Sequence, residues 1–283
     1  MAFPLLPMRP PTPSRDIGKL PMPIDDHKED RQFVTALARG LQVLKCFTSG
    51  EEHLGNQEIA QRCRLPKSTV TRLTHTLTLL DFLHHDSVQN RYRLGMATLS
   101  LGGTTLLRLD AREISRPVMQ ELANQTGCLI ALGMREGMSM LYLETARSDA
   151  SVITIRLNLG SRIPLHTTAM GRAYLAGSRP AARRSVMERV KNLNPEGYAD
   201  IERAITRAGE EYEATDCCTS YSEWRGEVGA IATPLRVGKG MPMMVLSASG
   251  DIRTMTPQFV EHTVRPLLLR SAWAIEQHFQ PGN

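Results

Sequence analysis

The sequence predicts an α+β protein: an N-terminal winged helix-turn-helix, then a C-terminal antiparallel sheet flanked by helices. Three observations carry this reading. Residues 33–80 hold helix-period apolar repeats broken by tight turns, and residues 81–95 read as a short hairpin. From Cys128 onward, strand-like runs alternate with helical ones, several of them joined by tight turns.

Length and composition bound the possibilities. The chain has 283 residues, enough for two domains, and is 41% hydrophobic and 22% charged, ordinary values for a globular core. No apolar run approaches the ~18 residues of a membrane-spanning helix. The opening MAFPLLPMRPPTPSRD lacks the basic head and unbroken apolar stretch of a signal peptide. Five cysteines without a CxxC pair point to reduced thiols and a cytoplasmic location. The net charge of +5 is unevenly spread. Residues 31–95 carry nine Lys/Arg against five Asp/Glu, a net of +4, whereas residues 1–30 carry four against five. A basic excess concentrated on one small domain favours phosphate contact.

Residues 1–30 hold seven of the 17 prolines and almost no apolar periodicity, which predicts a disordered tail. "FVTALARGLQVLKCF" repeats Val34, Leu37, Leu41, Leu44 and Phe47, an amphipathic helix. "NQEIAQRC" is a short helix with Asn56 as N-cap. "RLP" is a tight break, and Pro66 suits the first turn of the next helix. That helix, reaching Leu80, sets Val70, Leu73, Leu77 and Leu80 in one apolar stripe. "FLHHDSVQNRYRLG" predicts two strands around a turn at Ser87–Asn90. Helix, short helix, turn, third helix and hairpin together make the winged helix-turn-helix.

The next helical segment, softened at Gly102–Gly103 and Pro117, is rich in leucine: Leu99, Leu101, Leu106, Leu107 and Leu109. It is expected to pack against a second copy, which predicts a dimer. Beyond it, "CLIALGMR" and "MSMLYLET" flank a hairpin turn, and "SVITIRL" reads as a strand. "TTAMGRAYLA" and "YADIERAITRAGEEY" are helices, "VGAIATPLRV" and "MPMMVLSASG" strands. A long C-terminal helix kinks near Pro266.

A helical wheel places Ser68, Thr71, Arg72 and His75 opposite the apolar stripe, while Thr74 and Thr78 fall to the side. Arginine forks to guanine, threonine meets a base edge or thymine methyl, and histidine donates to N7 or phosphate. Lys67, Ser68 and Thr69 at the helix start suit a phosphate, and Arg91 and Arg93 on the wing suit flanking backbone. The plainer alternative is a core helix with a polar outer face; its place between a tight turn and a basic hairpin favours DNA. In the second half no GxSxG, HExxH, GxGxxG after a strand, or Walker loop occurs. No catalytic residue and no metal or cofactor site is expected. Thr167 or Thr168 caps the helix starting at Ala169, whose free N–H groups suit a small carboxylate. Ser247 and Ser249 share one face of a strand, lining a site or simply lying under a packed helix.

The ordered set "ALARGLQVLKCF", "EIAQRCRLPKSTVTRLTHTL", "RYRLG", "GSRIPLHTTAMGRAYLA" and "IATPL…LSASG" resembles the IclR-type transcriptional regulators from Phe33 to Phe279. The resemblance implies a winged helix-turn-helix at 31–95, a dimerising linker helix at 96–112 and a GAF-like effector domain at 113–283. It implies double-stranded operator DNA bound by a homodimer or a dimer of dimers, with a small organic acid or aromatic compound as effector. DNA contacts are implied at Arg39, Lys67, Ser68, Thr69, Thr71, Arg72, His75 and Arg91. An effector pocket is implied between Val152, Ile155 and Ile163 as apolar wall, Ala169 and Met170 at a helix start, and Ala230, Ser247 and Ser249 on strands. Ser220, near a position often acidic in such proteins, and Trp224, which with Arg225 resembles a subgroup with a GEWR-like segment, are also implied at the effector site, Trp224 either closing over a ligand or simply packing. An enzyme with a DNA-binding appendage and a ligand-blind architectural protein are the rival readings.

Overall fold

The computed structural model describes residues 31–47, 53–107, 110–148, 157–236 and 242–279, the backbone alone at 103–107 and 110. The tail at 1–30 and the expected strand up to Ile155 fall outside them.

The first domain packs α1 (Thr35–Lys45), α2 (Asn56–Cys63) and α3 (Lys67–Leu79) under a hairpin of β1 (Leu83–Asp86) and β2 (Arg91–Leu94). Arg64, at φ 53°, ends α2 in the left-handed conformation, and Pro66 enters α3, so the turn needs only three residues. Leu54 pairs with Tyr92 in an isolated bridge through two backbone hydrogen bonds of 2.8 and 2.9 Å, fastening the segment before α2 to the wing. Val43, Phe47, Ile59, Val70 and Leu83 fill the core.

Three expectations are corrected here. Of the expected stripe, Leu44 and Phe47, the latter just past α1, pack inward, whereas Val34, Leu37 and Leu41 are 51–63% exposed and the buried residue of α1 is Val43, on a different side of the helix. Gly55, not Asn56, is the N-cap of α2; Glu58 Oε2 accepts its N–H at 2.7 Å. In α3 the buried pair is Val70 and Thr74, while Leu73 and Leu77 are half-buried and Leu80 is exposed.

The connector is α4 (Met96–Leu107) followed by α5 (Asp110–Thr126), which absorbs Pro117. Gly95 allows the chain to leave the wing: a Cβ there would collide with Asp81 O.

The second domain is one six-stranded antiparallel sheet of order β5-β4-β3-β8-β7-β6. Its strands are β3 (Leu129–Glu136), β4 (Ser139–Ala146), β5 (Arg162–Pro164), β6 (Cys218–Tyr221), β7 (Val228–Leu235) and β8 (Met244–Asp251). The helices are α6 (Ala169–Gly177), α7 (Pro180–Leu193), α8 (Tyr198–Thr215), α9 (Pro257–Phe259) and α10 (Arg265–Gln277). A π turn at Val260–Val264 joins α9 to α10. It ends two residues before Pro266, so an irregular helical turn stands beside the proline where a kink is expected.

Both sheet faces are covered, which is why the strands read as near-continuous apolar runs. Ile130, Leu132, Leu143, Leu246 and Ala248 face α5 and α10. Ala131, Met140, Tyr142, Ala232 and Val245 face α6 and α8. Helix α7 and strands β5 and β6 lie outside the elements that the sequence predicts. In α7 only Val186 and Val190 are buried, too few to stand out as a periodic stripe.

Candidate nucleic-acid interface and ligand cavity

On α3, Lys67, Ser68, Thr71, Arg72 and His75 are all exposed, and Thr69 is half-buried. Ser68, Thr71, Arg72 and His75 share a face turned away from Val70, which anchors the helix to α1 and α2, and Lys67 stands at the helix start. The threonines behave differently from the sequence expectation. Thr71 Oγ1 donates to Lys67 O, Thr76 to Arg72 O and Thr78 to Thr74 O, at 2.8–3.0 Å. Each hydroxyl thus spends its proton on the helix's own carbonyl four residues back and presents a methyl and lone pairs outward. Thr74 is fully buried; its hydroxyl reaches Val70 O at 3.0 Å and Asn56 Oδ1 at 3.1 Å.

On the wing, Arg91 is paired with Glu58 at 2.7 Å, tying β2 to α2, whereas Arg93 is exposed. Arg39 is half-buried on α1. The hairpin turn is built by Asp86 Oδ1, which accepts the N–H groups of Val88 and Gln89 and so titrates below the usual carboxylate range.

In the second domain a small cavity, with about 30 Å³ of free space and partly open to solvent, lies between the sheet and α6. Thr168 caps α6, accepting the N–H of Gly171 at 3.2 Å and donating to Pro164 O at 2.7 Å. Gly171 is required by the close approach, since a Cβ would collide with Leu165 O. Ala169 and Met170, in the first turn of α6, line the cavity.

Ile163, Ala169, Met170, Ser220, Trp224, Ala230, Ser247 and Ser249 all line this one space. Val152 and Ile155 lie outside the described residues. Tyr142, Leu157, Thr168 and Val228 complete the lining and were not among the expected pocket residues. Val228 shares the strand parity of Ala230, the signal that points to it, whereas Tyr142 is the lining residue that β4 contributes and no expected residue marks its face. Ser247 and Ser249 donate to Ala131 O and Leu129 O across the β3–β8 ladder, and Ser220 donates to Thr167 O. Burial holds the Tyr142 phenol neutral by pushing its pKa up. Five hydroxyl side chains line the cavity, and no charged side chain does among the described residues.

Trp224 sits in the turn between β6 and β7, with the Arg225 guanidinium 4.6 Å from its ring centre. That turn is fastened by Glu223, whose Oε2 accepts from the Arg172 guanidinium at 2.6 Å. Arg172 is buried and donates also to Thr219 O at 3.2 Å. Removing Glu223 would leave a cation buried without its carboxylate partner.

Residues 103–277 match the family described as bacterial transcriptional regulator IclR C-terminal, and residues 36–87 match the IclR helix-turn-helix domain. The chain belongs to the IclR family. It is a DNA-binding transcriptional regulator with an N-terminal helix-turn-helix and a C-terminal effector domain. Among relatives, it is 32% identical over 238 residues to the HTH-type transcriptional regulator TsaQ1/TsaQ2 of Comamonas testosteroni, covering 83% of this chain and 85% of that protein. An IclR-family regulator structure from Brucella abortus matches with a TM-score of 0.79 and 37% identity, covering 89% of this chain and 95% of that one. An IclR homologue from Microbacterium hydrocarbonoxydans, solved with 4-hydroxybenzoate, has the same fold, with a TM-score of 0.67 and 24% identity, covering 86% and 98%. No described helix is long and apolar enough to cross a membrane.

Proposed function

We propose that this regulator binds a palindromic operator as a homodimer and releases or tightens its grip when a small aromatic carboxylate enters the second-domain cavity. The observation that carries this is the cavity itself: an apolar slot rimmed by five hydroxyls and the start of α6, without a charged side chain among the described residues. Trp224, Met170 and Ile163 supply an apolar wall for a flat ring, which enters as these side chains move apart, and the start of α6 at Ala169 and Met170 suits a carboxylate. The 4-hydroxybenzoate bound by the Microbacterium homologue belongs to this chemical class.

In the first domain, Lys67, Ser68, Thr71, Arg72 and His75 read the major groove from α3, with Thr69 and Arg39 near the backbone and the wing carrying Arg93. Arg91 acts chiefly through Glu58, holding the wing to α2. Two copies place their recognition helices about one duplex turn apart, ~34 Å. The exposed apolar side chains Leu37, Leu41, Met96, Leu99 and Leu101 support the dimer, or a dimer of dimers, because a monomer would leave them in water. The protein works in the cytoplasm by binding and not by turnover; no histidine or carboxylate lines the cavity beside its serines among the described residues.

Coupling requires that the ligand favour one dimer geometry. The test is a thermal-shift series with 4-hydroxybenzoate, benzoate and aliphatic acids, followed by operator titration with and without the best binder. A ligand that raises the melting temperature and changes operator affinity supports the reading. Stabilisation by none of these acids would overturn it.

A further inference from the structure

Cys46 caps the C-terminus of α1 and Cys63 is the last residue of α2, 17 positions later. Their sulfurs are 3.0 Å apart. A disulfide needs about 2.05 Å, so closing the bond asks for roughly 1 Å of sulfur movement. The two helix ends are already fastened by other contacts: Gln42 Nε2 donates to Cys63 O at 3.2 Å, and Arg62 Nη1 donates to Cys46 O at 3.1 Å.

The two thiols are not equivalent. Cys63 is only 4% exposed, whereas Cys46 is half-buried and reachable from solvent. The Cys63 thiol donates to the Cys46 sulfur and favours the Cys46 thiolate; burial opposes this, and the nearby Arg62 charge helps it, so Cys46 ionises below its usual value. The remaining cysteines contrast with this pair. Cys128, Cys217 and Cys218 are buried, and burial raises all three, Cys217 to about 12. Thiolate character and access therefore coincide at Cys46.

We propose that Cys46 and Cys63 form a reversible disulfide site in the DNA-binding domain, with Cys46 attacked first by a peroxide and Cys63 closing the bond. The Cys46 thiolate attacks one peroxide oxygen; the O–O bond breaks, and the departing hydroxide takes up a proton as water. This leaves Cys46 as the sulfenic acid. The Cys63 sulfur then attacks the Cys46 sulfur; the S–O bond breaks, and hydroxide leaves with the Cys63 proton as a second water. Two electrons pass from the thiols to the peroxide. The product staples the C-terminal ends of α1 and α2, the two helices on which α3 rests.

The test uses the full-length reduced protein with hydrogen peroxide, followed by tryptic mapping without reductant. The expected product links the peptide beginning at Cys46 to the peptide beginning at Cys63, two hydrogens lighter than the sum, and dithiothreitol reverses it. Cys63→Ser is expected to stop at a Cys46 sulfenic acid that dimedone traps, and Cys46→Ser to form neither species. If either variant fails to fold, mapping of the unaltered chain still decides. Oxidation that links Cys217 to Cys218, or that carries Cys46 to sulfinic acid with Cys63 still reduced, would overturn the proposal.

Discussion

The Thr74 hydroxyl of α3 lies 3.1 Å from Asn56 Oδ1 at the start of α2, with no solvent exposure of the threonine. This contact joins the two helices of the helix-turn-helix near the buried Val70, so it helps set the angle at which α3 is presented. Replacing Thr74 by valine keeps the shape and deletes the hydrogen bond. Thr74→Val is expected to cost about 1 kcal/mol, read as a lower urea midpoint of the first domain's transition. An unchanged midpoint would mean that Asn56 contributes nothing to helix placement.

Arg72 and Arg91 separate reading from support. Arg72 is exposed on the outer face of α3, whereas Arg91 is paired with Glu58. Arg72→Ala is expected to weaken operator binding by about 1–3 kcal/mol and to relax preference at one base pair. Arg91→Ala is expected to lower affinity more uniformly across sequences, because it loosens the wing. Titration against a panel of single-base operator variants distinguishes the two patterns.

The helix-turn-helix and the order of most later elements were legible because each has a period or a breaker: Pro66 before α3, the apolar runs of β7 and β8, the threonine cap of α6. What sequence could not give was the identity of the covering surface. Leu37 and Leu41 form an apolar stripe, but periodicity cannot say whether their own domain or a second chain meets it; here their own domain does not. Thr74 looked peripheral because its burial depends on a side chain 18 residues earlier. The cavity was readable only in part, since Ser247 and Ser249 announce a face while Tyr142 joins it through pairing between distant strands.

Ser249 lies 5% exposed on the cavity wall, beside Ser247 and facing α6. Ser249→Leu is expected to fill the slot and abolish the thermal shift by aromatic acids while operator affinity without ligand stays within twofold. A preserved thermal shift would place the ligand elsewhere.

The chain has two tryptophans, which makes fluorescence a local probe. Trp224 lines the cavity, and Trp273 on α10 is 62% exposed. Ligand addition is expected to change the emission of Trp273→Phe protein as much as that of the unaltered chain, and to leave Trp224→Phe protein silent. Glu223→Gln weakens the fastening to Arg172 and is expected to lower ligand affinity severalfold without moving the emission maximum of the ligand-saturated complex.

Glu136 joins the two domains electrostatically. It ends β3 and receives Lys45 of α1 at 3.1 Å and Arg162 of β5 at 2.6 Å, next to the cavity residue Ile163. Burial works against its ionised form, but the hydrogen bonds and charges of Arg162 and Lys45 outweigh it, so its pKa lies below the usual value. A carboxyl depressed in the folded state contributes stability that is fully present above its unfolded pKa of about 4.3 and is lost as pH falls through the lower folded value. Glu136→Gln is therefore expected to lower stability at pH 7 and to flatten the acid limb below about pH 4.5. At neutral pH, added salt should narrow the gap between the two proteins, because these charges are partly exposed. Melting curves from pH 3 to 7 at two ionic strengths check both statements. Parallel curves for the two proteins across that range would show that Glu136 does not hold α1 to the effector domain.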